Sequence, residues 1–285
     1  MLCFVSSTTS RVNLLRGLAW LVPLVFAWGL AYPLIKLVST SVSPIIISWF
    51  RVGIGALFFL AAGRGLSVGV KQFVNGVIYF AIFMLLLNVG TSVSSSPGLA
   101  AVMMYTQPVF VIVIERALGT KLSSKTILGV VIGFLGVLVS AASVSFDLGI
   151  LLTLMGGAVW AVGTVYYARN LEKEDVLKLN AFMSVSALPI LVALTPFDYY
   201  FDFSIRVIIL LLVLSVLAQA LAYYLWFNVI RELGSIRASA GSLVTPAVAY
   251  AASYLLLHTV PSPLEVVGSA ITLLGVYLAL SSKNF

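Results

Sequence analysis

Charge is what this sequence has least of. Of its 285 residues 9% are charged, where a soluble domain carries about 25%. By contrast 61% are hydrophobic and the mean hydropathy is +1.15. This balance excludes a water-soluble fold, because a chain so apolar needs lipid as its solvent. The polar stretches between the apolar runs are too short to build a second, soluble domain. Cysteine occurs once, as Cys3, which rules out an internal disulfide and any cysteine metal site. Cys3 reads as an inert residue near the N-terminus. The single histidine, His258, cannot supply an H-E-x-x-H metal site and reads as an interfacial residue. No pair of aspartates falls inside an apolar run, so an intramembrane aspartyl dyad is excluded. Ser94-Ser95-Ser96 lacks a nearby base to activate a nucleophile. A G-x-x-x-x-G-K-[ST] phosphate loop is missing too, which argues against ATP coupling. The sequence therefore predicts no enzyme, no cofactor and no metal.

What is present is a series of ten long apolar runs, at roughly 17–37, 43–63, 72–92, 97–118, 124–143, 148–169, 176–195, 204–230, 235–257 and 262–282. Each approaches the ~20 residues that a helix needs to span a bilayer. The runs are continuous rather than alternating, so helices are required and a β-barrel is not. Short segments with Ser, Pro, Gly or charge separate them. An even number of spans puts both termini on one side. On that side fall Arg11, Arg16, Arg64, Lys71, Arg116, Lys121, Lys125, Arg169, Lys173, Lys178, Arg231, Arg237 and Lys283. The opposite side holds Arg206, while Lys36 and Arg51 lie within or at the edge of spans. The excess of Lys and Arg predicts cytoplasmic termini and a cell-membrane protein. It also explains the net charge of +7 without invoking nucleic acid. The expected partners are the bilayer and a small-molecule solute, with the chain acting as a monomer. No small-x-small cleavage site follows the first run, which reads as a retained helix.

The chain also resembles itself, about 135 residues apart. Pro97 to Pro108 aligns with Ser235 to Pro246, Gly129 and Gly136 recur as Gly268 and Gly275, and Trp28 has a counterpart in Trp160. The expected repeats are 1–143 and 147–285. Each holds five spans, an odd number, so the second sits inverted relative to the first, the arrangement that lets one site open to either side in turn. The glycine pairs, each on one helix face, predict close helix packing. Pro108 and Pro246 fall at equivalent places in two inner helices and predict either hinges or static bends.

Ala27-Trp28-Gly29 with Pro33 and Lys36, then Arg51, the small-residue stretches ending at Pro108 and Pro246, and Gly129 with Gly268 resemble the drug/metabolite transporter superfamily, specifically its EamA-type ten-helix permeases. The resemblance covers residues 17–282. It implies an all-α integral membrane protein with ten transmembrane helices, arranged as two inverted five-helix repeats around a central cavity. It also implies export of small organic metabolites, often amino acids. One motif departs. The family often carries a glutamate after a Leu-Gly pair at the end of the fourth helix and its twin. Here those places read Leu118-Gly119-Thr120 and Leu257-His258-Thr259, and Glu115 stands one turn early.

If that cavity is present, Trp28 and Tyr32, Asn88, Met104 and Gln107, Trp160, Thr164 and Tyr167, Gln219 and Tyr223, and Thr245 are its candidate lining. Such a surface suits an amphipathic solute. Each has a plain packing alternative, since amides and aromatics also bind neighbouring helices. Lys36 and Arg51 are candidates for attracting an anion. For Lys36 the alternative is snorkelling to the interface. For Arg51 it is bonding to carbonyls at helix ends, since the resemblance places the second span at the periphery. No protonatable group stands out inside the membrane, so uniport or exchange down a gradient is the expected mode. Rival readings are a carrier of phosphorylated metabolites or nucleotide-sugar solutes, a non-transporting scaffold, and a lipid-handling protein.

Overall fold

Buried backbone in lipid must satisfy itself, and the chain does so with helices. In a computed structural model, which describes residues 2–142, 147–260 and 262–281, thirteen α-helices run in order. They are α1 (Leu2–Val38), α2 (Pro44–Gly63), α3 (Val70–Gly76), α4 (Phe83–Val93), α5 (Pro97–Met104), α6 (Gln107–Ala117), α7 (Ser124–Ala141), α8 (Leu148–Asn170), α9 (Val176–Ala193), α10 (Ile205–Ser215), α11 (Ala222–Ser242), α12 (Thr245–Leu257) and α13 (Pro263–Leu280). Lys283 and residues 143–146 lie outside the described residues, as do the side chains of 2–13. The only β pairing among the described residues is an isolated bridge between Val42 and Phe201.

The junctions are written in short polar residues. Ser43, Ser96, Ser123, Asp147, Asp175, Ser204 and Ser262 each stand before a helix and accept a backbone N–H of its first turn. Such caps satisfy amides that would otherwise be orphaned. At α13 the cap is reciprocal, because Glu265 accepts the N–H of Ser262 at 2.6 Å. Pro44, Pro97 and Pro263 occupy first turns, where a missing N–H costs nothing.

Among the described residues eight helical stretches are long and apolar enough to cross a membrane, and Ser124–Ser140 and Thr245–Leu257 are shorter apolar helices. The longest stretch, Ile205–Ser242, is not one rod. Gly234 has φ 77° and ψ 166°, which breaks it between Leu233 and Ser235. Large apolar side chains such as Phe26, Leu57, Leu135 and Tyr277 remain exposed around the outside. In an integral membrane protein that surface faces acyl chains.

Packing is tightest where glycines meet. α7 lies against α13, with Gly129, Gly133 and Gly136 facing Gly268, Thr272 and Gly275. A Cβ on Gly129 would stand 2.7 Å from the Gly275 carbonyl oxygen and 2.8 Å from the Ala279 Cα. Backbone cannot yield as a flexible side chain can. Gly129→Ala is therefore expected to destabilise the fold by about 1–3 kcal/mol, seen as a lowered melting temperature in detergent. An unchanged melt would mean that α7 and α13 can separate without cost.

Two helices are interrupted by a π turn, Val77–Ile82 between α3 and α4 and Val216–Leu221 between α10 and α11. These two turns are separated by the same spacing as Gly129 and Gly268. Two more helices break just before a proline. After α5, Thr106 bonds back to Met103 and Val109 to Thr106; before α12, Leu243 bonds to Ala240 and Val244 to Gly241. These i→i−3 bonds tighten the chain into 3₁₀ turns, and each break is followed by a fresh helix. Pro108 and Pro246 thus stand in first turns, not inside kinked helices. The physical reason is that a helix already ended upstream leaves a proline no bond to remove.

Candidate functional site

The four interruptions converge on the middle of the molecule. Trp28 on α1, Trp160 on α8 and Trp226 on α11 form a triangle, with ring centroids 5.2 to 5.3 Å apart. Tyr105 packs on Trp160 at 5.3 Å, Phe83 at 5.7 Å, and Tyr223 on Trp28 at 6.0 Å. Edge-to-face pairs of this kind add to the area they bury. The suspected counterparts Trp28 and Trp160 therefore touch directly, at an interplanar angle of 88°.

Between these rings lies a void of about 20 Å³, walled by Trp28, Tyr32, Arg51, Phe83, Tyr105 and Trp160. That is room for about one water molecule. The open chamber expected from sequence is thus closed in this conformation, because the aromatic walls meet one another instead of a solute.

Arg51 is fully buried at this void. One guanidinium nitrogen donates to Asn88 Oδ1 at 2.7 Å, and the other terminal nitrogen donates to the Ala218 carbonyl at 3.2 Å. Nε has no partner. Ala218 sits in the second π turn, where the widened backbone leaves a carbonyl available in mid-helix. The bond to a backbone carbonyl expected of Arg51 is present, with one correction: the carbonyl belongs to a π turn and not to a helix end. Asn88 is held in turn, donating to Ser48 Oγ at 3.0 Å and to the Met84 carbonyl at 2.8 Å. Among the described residues no carboxylate acts on Arg51; the ionisable groups that do are the phenols of Tyr223 and Tyr32.

A second polar cluster is built on the first π turn. The hydroxyl of Tyr79 is 2.8 Å from Thr164 Oγ1 and accepts the indole N–H of Trp226 at 2.9 Å. Gln107 donates to Thr164 at 3.2 Å and to Ser239 at 2.9 Å, leaving its carbonyl oxygen unpartnered. Gln107 and Thr245 are each the first residue after a helix break. Tyr79 escaped the sequence reading. Its signal is a hydroxyl-bearing ring in the middle of an otherwise apolar run, which burial obliges to find a partner.

The other candidates divide. Gln219 and Tyr223 are buried with unpartnered polar atoms. Met104 rests on Gly156, where a Cβ would approach its methyl carbon to 2.6 Å. Tyr167 packs away from the void, on Phe227 at 4.4 Å. Lys36 donates to the carbonyls of Ser92 and Ser94 at 2.8 and 2.7 Å, closing the C-terminal end of α4. The helix dipole favours a cation there, and the charge of Asp147 acts on it as well.

The two ends of the bundle are closed differently. At the Lys36 end, Asp147 accepts the N–H groups of Ser95 at 2.7 Å and Ile150 at 2.8 Å. Burial alone would raise its pKa, but these bonds outweigh it and hold the carboxyl below the ordinary value. Its stabilising contribution is therefore present above the unfolded value of about 3.9 and is lost as pH falls through the lower folded value. Asp147→Ala is expected to cost about 1 kcal/mol through the lost cap. Thermal melts of variant and parent should differ at neutral pH and converge in strong acid; a constant gap would refute the assignment. At the other end, Glu115 accepts from Arg169, Thr120 and Ser235, each at 2.7 Å. This is the one ion pair among the described residues. It borders a cavity of about 220 Å³ lined by Leu233, Gly234 and Arg237.

Comparison with known proteins names the architecture. The EamA-like transporter family matches twice, over residues 15–142 and 147–281. The chain belongs to the EamA-like transporter family. It is 31% identical over 214 residues to an uncharacterized transporter of Acidianus ambivalens, covering 70% of this chain and 82% of that one. It is 25% identical over 290 residues to an Escherichia coli (strain K12) protein named "Probable amino-acid metabolite efflux pump", covering 89% and 91%. A solved crystal structure superposes with a TM-score of 0.70 at 17% identity, covering 90% of this chain and 94% of that one; that likeness concerns the fold alone. This EamA-type chain is thus an integral membrane transporter.

Proposed function

We propose that this EamA-type chain carries small organic metabolites, amino acids among them, across the cell membrane by alternating access. The observation that carries the reading is Arg51. A positive charge buried with no carboxylate against it is costly. A solute anion is the missing partner, and the aromatic walls suit the apolar part of the same solute. The closed void is then the occluded stage of a cycle, and opening at one end admits the solute.

The proposed frame is ten spans in two inverted repeats, 1–143 and 147–285, with both termini cytoplasmic and a single chain as the working unit. Counting Ser124–Ala141, and dividing Ile205–Ser242 at Gly234, supports ten. The matched π turns and matched breaks support the repeats, and their interrupted backbones at mid-membrane supply the hinges of rocking motion. Pro108 and Pro246 mark those hinges. Counterflow in proteoliposomes tests the function, with labelled amino acids, organic acids and sugar phosphates as solutes. Saturable exchange of an amino acid is the expected result, and absence of solute-specific flux would overturn the proposal. Imposed pH steps should leave the final accumulation unchanged if transport is uniport or exchange.

A further inference from the structure

Gln219 is fully buried and neither atom of its amide has a hydrogen-bond partner. An amide deprived of partners in a dry interior costs far more than one that is paired. Native proteins hold few such groups, and each calls for an explanation. Gln219 stands in the Val216–Leu221 π turn, next to the residue whose carbonyl holds Arg51. Its Cγ lies over Gly55, and a Cβ there would approach it to 2.8 Å. Gly55 and Arg51 are four residues apart on α2, hence on one face. The bare glycine leaves the room that the Gln219 side chain occupies against α2. Four residues beyond Gln219, on the same side of the helix, the hydroxyl of Tyr223 is also buried and unpartnered, and the phenol acts on Arg51. Three groups with spare capacity therefore lie on two packed helices, around the Arg51–Ala218 contact: Arg51 Nε, a donor; the Tyr223 hydroxyl, a donor and acceptor; and the Gln219 amide, which carries the carbonyl oxygen that Arg51 lacks.

We propose that these groups form a head-group subsite for a zwitterion, in which Arg51 and Tyr223 take the carboxylate and Gln219 Oε1 accepts from the α-ammonium. Gln219 is then the specificity-determining residue that separates an amino acid from the corresponding carboxylic acid. The assignment rests on the transport reading above and adds the chemistry of the head group. A carboxylate alone would satisfy Arg51 and leave the amide oxygen unpaired. A site that pairs a buried group with its solute rejects the analogue that lacks the partner. The solute's side chain extends among Trp28, Phe83 and Trp160.

The test compares matched pairs: L-phenylalanine with 3-phenylpropionate, L-tryptophan with 3-indolepropionate, and L-leucine with 4-methylpentanoate. Each competes for counterflow in proteoliposomes of wild type and of Gln219→Met, which keeps the length and removes the amide. Wild type should favour the amino acid of a pair by about tenfold or more. Gln219→Met should bring that ratio down to about one, by weakening the amino acid relative to its carboxylic acid. The preference is a ratio measured on one preparation, so a loss of folded protein cancels. Gly55→Ala, which displaces the amide without deleting it, should lower the same ratio. Preference retained in both variants, or an equal loss for both members of each pair, overturns the assignment while transport stands. A wild type that carries no amino acid overturns the transport reading and this inference together.

Discussion

Arg51→Met is expected to abolish amino-acid counterflow, by about a hundredfold or more, while the protein still folds. The reasoning separates what Arg51 does for the solute from what it does for the fold. Two charge-assisted hydrogen bonds to a carboxylate, at about 1.5–3 kcal/mol each, exceed the ~2.7 kcal/mol that corresponds to a hundredfold in affinity. The fold asks less of the residue. Removing a buried charge that has no counterion also removes its desolvation cost. Against this stand the bonds to Asn88 and the Ala218 carbonyl. Asn88 keeps the bonds of its Nδ2 to Ser48 and the Met84 carbonyl, so its place is held although its Oδ1 loses the guanidinium, at a cost of about 1–3 kcal/mol. A melting temperature within a few degrees of wild type, together with lost flux, is the expected pair of results. Arg51→Lys should restore only part of the flux, since an ammonium lacks the planar fork that grips a carboxylate with two parallel bonds. If flux survives in Arg51→Met, or if flux and folding fail together in both variants, Arg51 is a structural clamp and the missing-partner argument falls.

Much of this centre was legible in the sequence, though not its closure. A lone amide in an apolar run has to find a partner, which is why Asn88 and Gln107 stood out, and both are buried and bonded. The duplicated glycines announced a close helix pair because only a bare backbone permits such an approach. The π turns left no such mark. Val77–Ile82 and Val216–Leu221 share only an apolar frame, Val-Ile/Leu-x-x-Ala-Ile/Leu, which fits an ordinary apolar helix equally well; sequence periodicity therefore slides past a π turn. That is why the carbonyl for Arg51 was sought at a helix end, when a mid-helix one was available. Tyr79 does carry a signal, a hydroxyl in an apolar run, but its partners Thr164 and Trp226 stand on distant segments that nothing in its own run names. The closed void also escaped, since residue types indicate which faces turn inward and not whether those faces meet. Glu115 was discounted for standing one turn early, yet its position on α6 brings it to Ser235 and Arg169.

That network at Glu115 gives the second large expected effect. It ties α6 and Thr120 to α8 and to the second segment of α11, which meet at the end that we place on the cytoplasmic side. Opening there requires the three to part, so the network is a latch whose strength sets the closed population. The partners are unequal. The Glu115 side chain is 6% exposed and that of Arg169 39%. Deleting Glu115 lets the arginine turn into water, where a charge costs little. Deleting Arg169 strands a buried carboxylate with only the Thr120 and Ser235 hydroxyls, and a buried charge robbed of its counterion is the costlier remnant. Because Arg169 is partly solvated, the usual figure for breaking a buried pair is discounted to about 1–2 kcal/mol. That corresponds to a rise of about tenfold in the open fraction. Val111 lies one turn before Glu115 and is fully buried, so a cysteine there reports opening once Cys3 is replaced by serine. In Val111→Cys, the rate of labelling by a water-soluble maleimide from that side should rise about tenfold with Arg169→Ala, and less with Glu115→Gln. Equal rates in all three would show that the latch does not hold the gate. A larger effect from Glu115→Gln would reverse the argument from burial, placing the strain on the arginine.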